Sequence, residues 1–147
     1  MLQCTAVTEI PQGEALVALV DMRGGPDDPE DLLAANNFLL CVLGEHDEET
    51  EHAAHLWTAE TRGSRDLWFL WAGTAAHRVY RFAVLRMCPA SLRNFDEGTV
   101  RRCGFFDEHQ PRAHSFQVAD PLGELLAERA RREAQQLIED DPDDGDE

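Results

Sequence analysis

Lysine is missing altogether: all 13 basic residues of the 147 are arginine, set against 29 acids, for a formal net charge of −16. A surplus of that size repels nucleic acid and anionic membranes, so neither is an expected partner, whereas a basic protein surface is. Long apolar runs are missing too. Nothing approaches the roughly 18 residues of a membrane span, and no basic residue precedes Arg23, as a signal peptide would need. The cytoplasm is the expected location, or the nucleus in a host that has one. No CxxC joins Cys4, Cys41, Cys88 and Cys103. In a reducing compartment such cysteines are expected to be buried small hydrophobes rather than bridges. There is no HExxH and no GxSxG, and Gly24-Gly25 runs into Pro26 and acids that would repel phosphate. No cofactor is expected, and no internal repeat is evident.

What is present suits one α+β domain over residues 1–138, followed by an acidic tail over 139–147. Apolar residues make up 43%, enough for one core. The expected architecture is an antiparallel or mixed sheet of about five strands with two or three packed helices. Leu2 to Ile10 and Ala15 to Val20 read as a hairpin about Pro11-Gln12-Gly13. Asp28-Pro29 opens a helix whose apolar stripe runs from Leu32 to Leu43, with Gly44 as its stop. A second helix is favoured from His52, stopping at Gly63. Leu67 to Ala72 and Arg78 to Met87 read as strands about Gly73-Thr74. Pro89 to Phe106 reads as a short helix and a loop, and Phe116 and Val118 mark a last strand. Asp120-Pro121 then opens the C-terminal helix.

Residues able to carry chemistry are scattered. On a helix His52 and His55 would share a face, with His46 and Cys41 nearby in sequence, and imidazole with thiolate suits zinc. His52 and His55 are therefore the candidate metal ligands. Cys88 and Cys103 are the only plausible reactive thiols, and nearby carboxylate pairs arise from composition alone. Asp47, Glu48, Glu49 and Glu51, with Trp57 and Trp68, are the candidate partner-binding residues: acids to meet positive charge, aromatics to supply affinity.

Asp31-Leu32, Ala35, Phe38 and Leu43-Gly44 resemble the first helix of glyoxalase and bleomycin-resistance proteins. Val79 to Leu85 falls where that family's second repeat begins, and Asp120-Pro121-Leu122-Gly123 is similar to its late turn. The resemblance covers most of 15–126. It implies paired βαβββ modules, a small-molecule pocket and often a dimer. No His or Glu stands on 15–20, where the family's first metal ligand would lie.

The charge and the missing catalytic motifs lead to one expectation. The chain is read as a small acidic interaction protein, an inhibitor, immunity-type or regulatory protein, more a binder than an enzyme, with a homo-oligomer open to it. A small-molecule-binding or metal-dependent domain is the alternative.

Overall fold

The computed structural model describes residues 1–59 and 65–140. The chain is an α+β domain with three helices and several antiparallel sheets. A strand β1 (Val7–Glu9) leads into α1 (Gln12–Asp21) and α2 (Pro29–Ala34). Then come β2 (Phe38–Leu40), β3 (His52–Trp57), β4 (Asp66–Ala72), β5 (Val79–Leu85), β6 (Ser91–Asn94) and β7 (Thr99–Arg102). The helix α3 (Pro121–Asp140) follows. The expected single sheet is instead three: β1 with β2, β3-β4-β5, and β6 with β7, every pair antiparallel.

β4 is the centre of the core. Its run Leu67 to Trp71 is buried throughout, because β3 and β5 flank it and both of its faces are covered. The turn into β5 uses Gly73 at φ +78°, where a Cβ would stand 2.6 Å from the His77 carbonyl oxygen.

Several expected elements change type. Ala15 to Val20 is helical: Ala15 and Leu19, four apart, are buried, while Val17 and Val20 face outward. An apolar run this short fits either state by periodicity. The helix begun at Pro29 stops at Ala34, where the Asn36 side-chain amide donates to the Leu32 carbonyl (2.7 Å). Beyond it Leu39 is buried between exposed Phe38 and Leu40, a period of two rather than a helical stripe. His52 to Trp57 is a strand, paired with β4 from His52↔Trp71 onward, and the expected stop at Gly63 lies outside the described residues. Pro89 to Phe106 holds the β6–β7 hairpin, turning at Gly98 (φ +68°). Phe116 lies in a 3₁₀ turn, Ser115–Gln117. The C-terminal helix runs to Asp140, and residues 141–147 of the acidic tail lie outside the described residues. No helix among the described residues is long and apolar enough to cross a membrane.

The order β1, helices, β2, β3, β4 traces one βαβββ run. No second such run follows, since β5, β6 and β7 succeed one another without an α-helix between them.

Candidate metal centres

Folding gathers all four cysteines and four of the six histidines into two clusters: Cys4, Cys41, His46 and His52, and Cys88, Cys103, His109 and His114. Within each, one ligand atom per residue lies within 4.8 Å of all the others.

Each cluster starts from an antiparallel ribbon. In the first, the Cys4 N–H donates to the Leu43 carbonyl (2.8 Å), the Cys41 N–H to Ala6 (2.9 Å) and the Glu45 N–H to Leu2 (2.9 Å). In the second, the Cys88 N–H donates to Phe105 (2.8 Å), the Cys103 N–H to Ala90 (2.9 Å) and the Asp107 N–H to Arg86 (2.8 Å). The offsets are the same: each cysteine N–H meets the carbonyl two residues beyond the other cysteine. The strand pairs continue that register, Val7 opposite Leu40 in one and Ser91 opposite Arg102 in the other. The bridges Gln3↔Gly44 and Met87↔Phe106 continue it the other way.

The imidazoles repeat as well. His46 Nε2 lies 3.5 Å from Cys41 Sγ, while its Nδ1–H donates to the Asp47 carbonyl (2.9 Å). His109 Nε2 lies 3.6 Å from Cys103 Sγ, while its Nδ1–H donates to the Pro111 carbonyl (2.9 Å). In both, the backbone carbonyl holds the tautomer that leaves Nε2 as a lone-pair donor. His52 Nδ1 stands 3.5 Å from Cys4 Sγ, and His114 Nδ1 stands 3.6 Å from Cys88 Sγ. His109 Nε2 and His114 Nδ1 are 3.3 Å apart.

These spacings have a physical meaning. Zinc bonds of about 2.3 Å to sulfur and about 2.0–2.1 Å to nitrogen, at tetrahedral angles, give S···N edges of about 3.5 Å and N···N edges of about 3.3 Å. Both clusters have those S···N edges, and the second has the N···N edge as well. A Rieske-type cluster, with cysteines and histidines on different irons, would not bring sulfur so close to nitrogen.

The protonation energetics agree. Burial pushes the Cys41 thiol up to about 11, with Cys4 beside it adding to the rise. Burial raises Cys88 also, with Cys103 adding to it. Burial holds His52 below its ordinary value, helped by His46, and holds His109 down likewise, helped by His114. Each cluster thus holds one imidazole, His52 or His109, and one thiol, Cys41 or Cys88, that resist ionising. A divalent cation removes the thiol's resistance.

The residues expected to meet a partner have other surroundings. Asp47, Glu48, Glu49 and Glu51 lie in the loop between the two imidazoles of the first cluster. Glu48 stands 3.9 Å from His52 Nε2, Asp47 accepts the Glu49 N–H, and Glu51 forms a two-pronged pair with Arg81. Trp57 is half-buried and donates to the Gly24 carbonyl (3.0 Å). Trp68 is wholly buried, edge-on to His55 and Phe106, so it offers no surface to a partner. The expected pairing of His52 with His55 needs a helix. On strand β3 His52 joins the cluster, whereas His55 lies outside it and bonds to the buried carboxylate of Asp66 (2.9 Å) and to Thr58 (3.1 Å).

Two expectations are corrected here. The acidic inhibitor or regulatory character rested on charge, yet the organised chemistry of this chain is two metal-ligating clusters. The leaning away from enzyme-like chemistry fails for the same reason, since both clusters are able to coordinate a metal ion. Sequence reasoning passed over Cys4, His109 and His114 as ligands, and took Cys88 and Cys103 for reactive thiols only. The available signal was a cysteine followed by two histidines, Cys41-His46-His52 and Cys103-His109-His114, with the outer spacing the same in both. Comparison with protein-family models, curated proteins and solved structures finds no match to this chain.

Proposed function

We propose that this chain is a metal-binding domain that holds one zinc ion in each of its two Cys₂His₂ clusters. The observation that carries the reading is the set of S···N and N···N separations of 3.3–3.6 Å between ligand-type atoms. Soft thiolate with imidazole in a four-donor set favours zinc over the harder divalent ions. Each ion would tie together segments far apart in the chain, the N-terminal strand to the loop before β3 and the base of the β6–β7 hairpin to the segment before α3. The test is elemental analysis with native mass spectrometry of protein purified without chelator. Two zinc ions per chain are expected, and one fewer in a variant of either cluster. Metal-free protein that still folds and takes up no added zinc would end the proposal.

One observation favours a catalytic or ligand-binding role for the second centre. Cys88, His109 and His114 line an open cleft of about 740 Å³ together with Arg112, which gives small molecules access to the metal. A metal reached this way can polarise a bound oxygen if one ligand yields its place. Cobalt-substituted protein would show it: the visible spectrum should change on titration with a small anion such as cyanide or acetohydroxamate. No change would leave the metal with a scaffolding role only.

A further inference from the structure

Among the described residues the β6–β7 hairpin is where this acidic chain presents an unpaired run of positive charge. Arg93 and Arg102 lie on the same face, because Arg93 pairs with Val100 and Ser91 with Arg102. With Met87 and Pro89 they line a groove of about 800 Å³ that ends at Cys88 and Cys103. Arg101 points from the opposite face, opposite Leu92. Among the described residues none of these three arginines has a salt bridge, although acids outnumber arginines by more than two to one. At the tip stands Phe95, 88% exposed, the most exposed large apolar side chain of the described residues.

We infer that this hairpin binds single-stranded nucleic acid, with Arg93 and Arg102 on phosphates in the groove and Phe95 stacked on a base. A basic groove beside an exposed aromatic is the combination that single strands recognise, since every base offers a π-face. An acidic peptide would satisfy the arginines and leave Phe95 in water. Asp96 and Glu97, whose N–H groups are held by Asn94 Oδ1, flank the ring. They keep phosphate away from the tip and leave it to the base. Acids elsewhere on the surface are screened beyond about 8 Å at physiological ionic strength, so the local sign governs contact. The groove abuts the second metal centre at Cys88 and Cys103 and relies on it only to anchor the hairpin's base.

The test is fluorescence anisotropy of the full chain with a labelled single-stranded oligonucleotide of mixed sequence, over a range of salt, with zinc content measured on the same sample. Binding is expected at low salt, weakening with a slope of about −0.7 per phosphate contacted. The double variant R93A/R102A should lose at least tenfold in affinity and most of the salt slope. F95A should lose about five- to a hundredfold with the slope unchanged. R129A on α3 is the control and should bind as the parent does. Absence of salt-dependent binding, or binding indifferent to R93A/R102A, overturns the inference. Equal competition by polyglutamate also overturns it and points to an acidic protein instead. Folded protein that takes up no added zinc yet shows arginine-dependent binding would sink the metal reading and leave this one standing.

Discussion

The two metal centres share a ladder, a donor order and a tautomer pattern, but they differ in what each is built into. Between the cysteines of the first centre the chain inserts α1, α2 and the β1–β2 pair, and Cys41 is fully buried within the core. The Val42 N–H donates to the Ala53 carbonyl, which fastens that ribbon to β3 and hence to the central sheet. Between the cysteines of the second centre lies only the β6–β7 hairpin, with every residue of both strands exposed. One local unit therefore serves as part of the core in the first half of the molecule and as the footing of a projecting arm in the second. The ligand geometry is insensitive to the insert because the ladder bonds on either side of the cysteines define it.

The strongest test of this comparison is to remove both metals. Structural zinc in small domains contributes about 10–16 kcal/mol, as much as the whole stability of an ordinary domain. Chelation followed by circular dichroism should show cooperative loss of structure that added zinc restores, and an unchanged spectrum would mean the clusters are dispensable. The next test separates the centres. Cys41→Ser and Cys103→Ser should each cost one zinc. Cys41→Ser should in addition destabilise the chain by ~2 kcal/mol or more beyond Cys103→Ser, measured by urea unfolding: both thiols are buried, but only the first ribbon is fastened to β3, by the Val42–Ala53 bond. Hydrogen exchange should find β3-β4-β5 still protected in Cys103→Ser, with only the hairpin exposed. Equal damage from both variants would erase the distinction.

A smaller effect is expected at His55, which neighbours the first centre without belonging to it. His55→Ala should leave zinc content at the parent value and cost about 1–3 kcal/mol by leaving the Asp66 carboxylate short of a partner. The Thr58 hydroxyl, which still donates to Asp66 Oδ2 (3.2 Å), brings the cost toward the lower end. Loss of zinc would instead make His55 a ligand.

The mildest expectation concerns pH. With Cys41 pushed up to about 11 and Cys88 also raised, the thiols are protonated at neutral pH in the absence of metal. Metal binding must displace the proton of Cys41 at one centre and of Cys88 at the other, so affinity rises with pH at both, measured by competition with a chromophoric chelator. Burial holds His52 and His109 below their ordinary values, so their protonation competes with metal only at pH below the usual histidine range. A pH-independent affinity would contradict thiolate ligation at either centre.

How far the sequence could be read follows the range of the forces involved. Local signals served well at β4, β5 and the start of α3, where aromatic alternation, a glycine turn and Asp120-Pro121 act within a few residues. They misled at Ala15–Val20 and His52–Trp57, where tertiary pairing chose between states that the local pattern left nearly equal. The candidate site was half legible: His52, with His46 and Cys41 near it, stood out, while Cys4 lies far away in the chain and joins them only through the ribbon with Leu43. The second centre went unread because the Cys-His-His spacing it shares with the first is too loose to stand out as a zinc motif, and the rest of the likeness lies in the ladder register.

By itself the sequence determined the class of the domain, its acidity, and the presence of thiols and imidazoles sufficient for metal chemistry, because these depend on composition and short-range pattern. Only the tertiary structure decided which of those groups stand together. A four-donor site depends on separations of a few ångströms between residues dozens apart, and long-range strand pairing sets those distances.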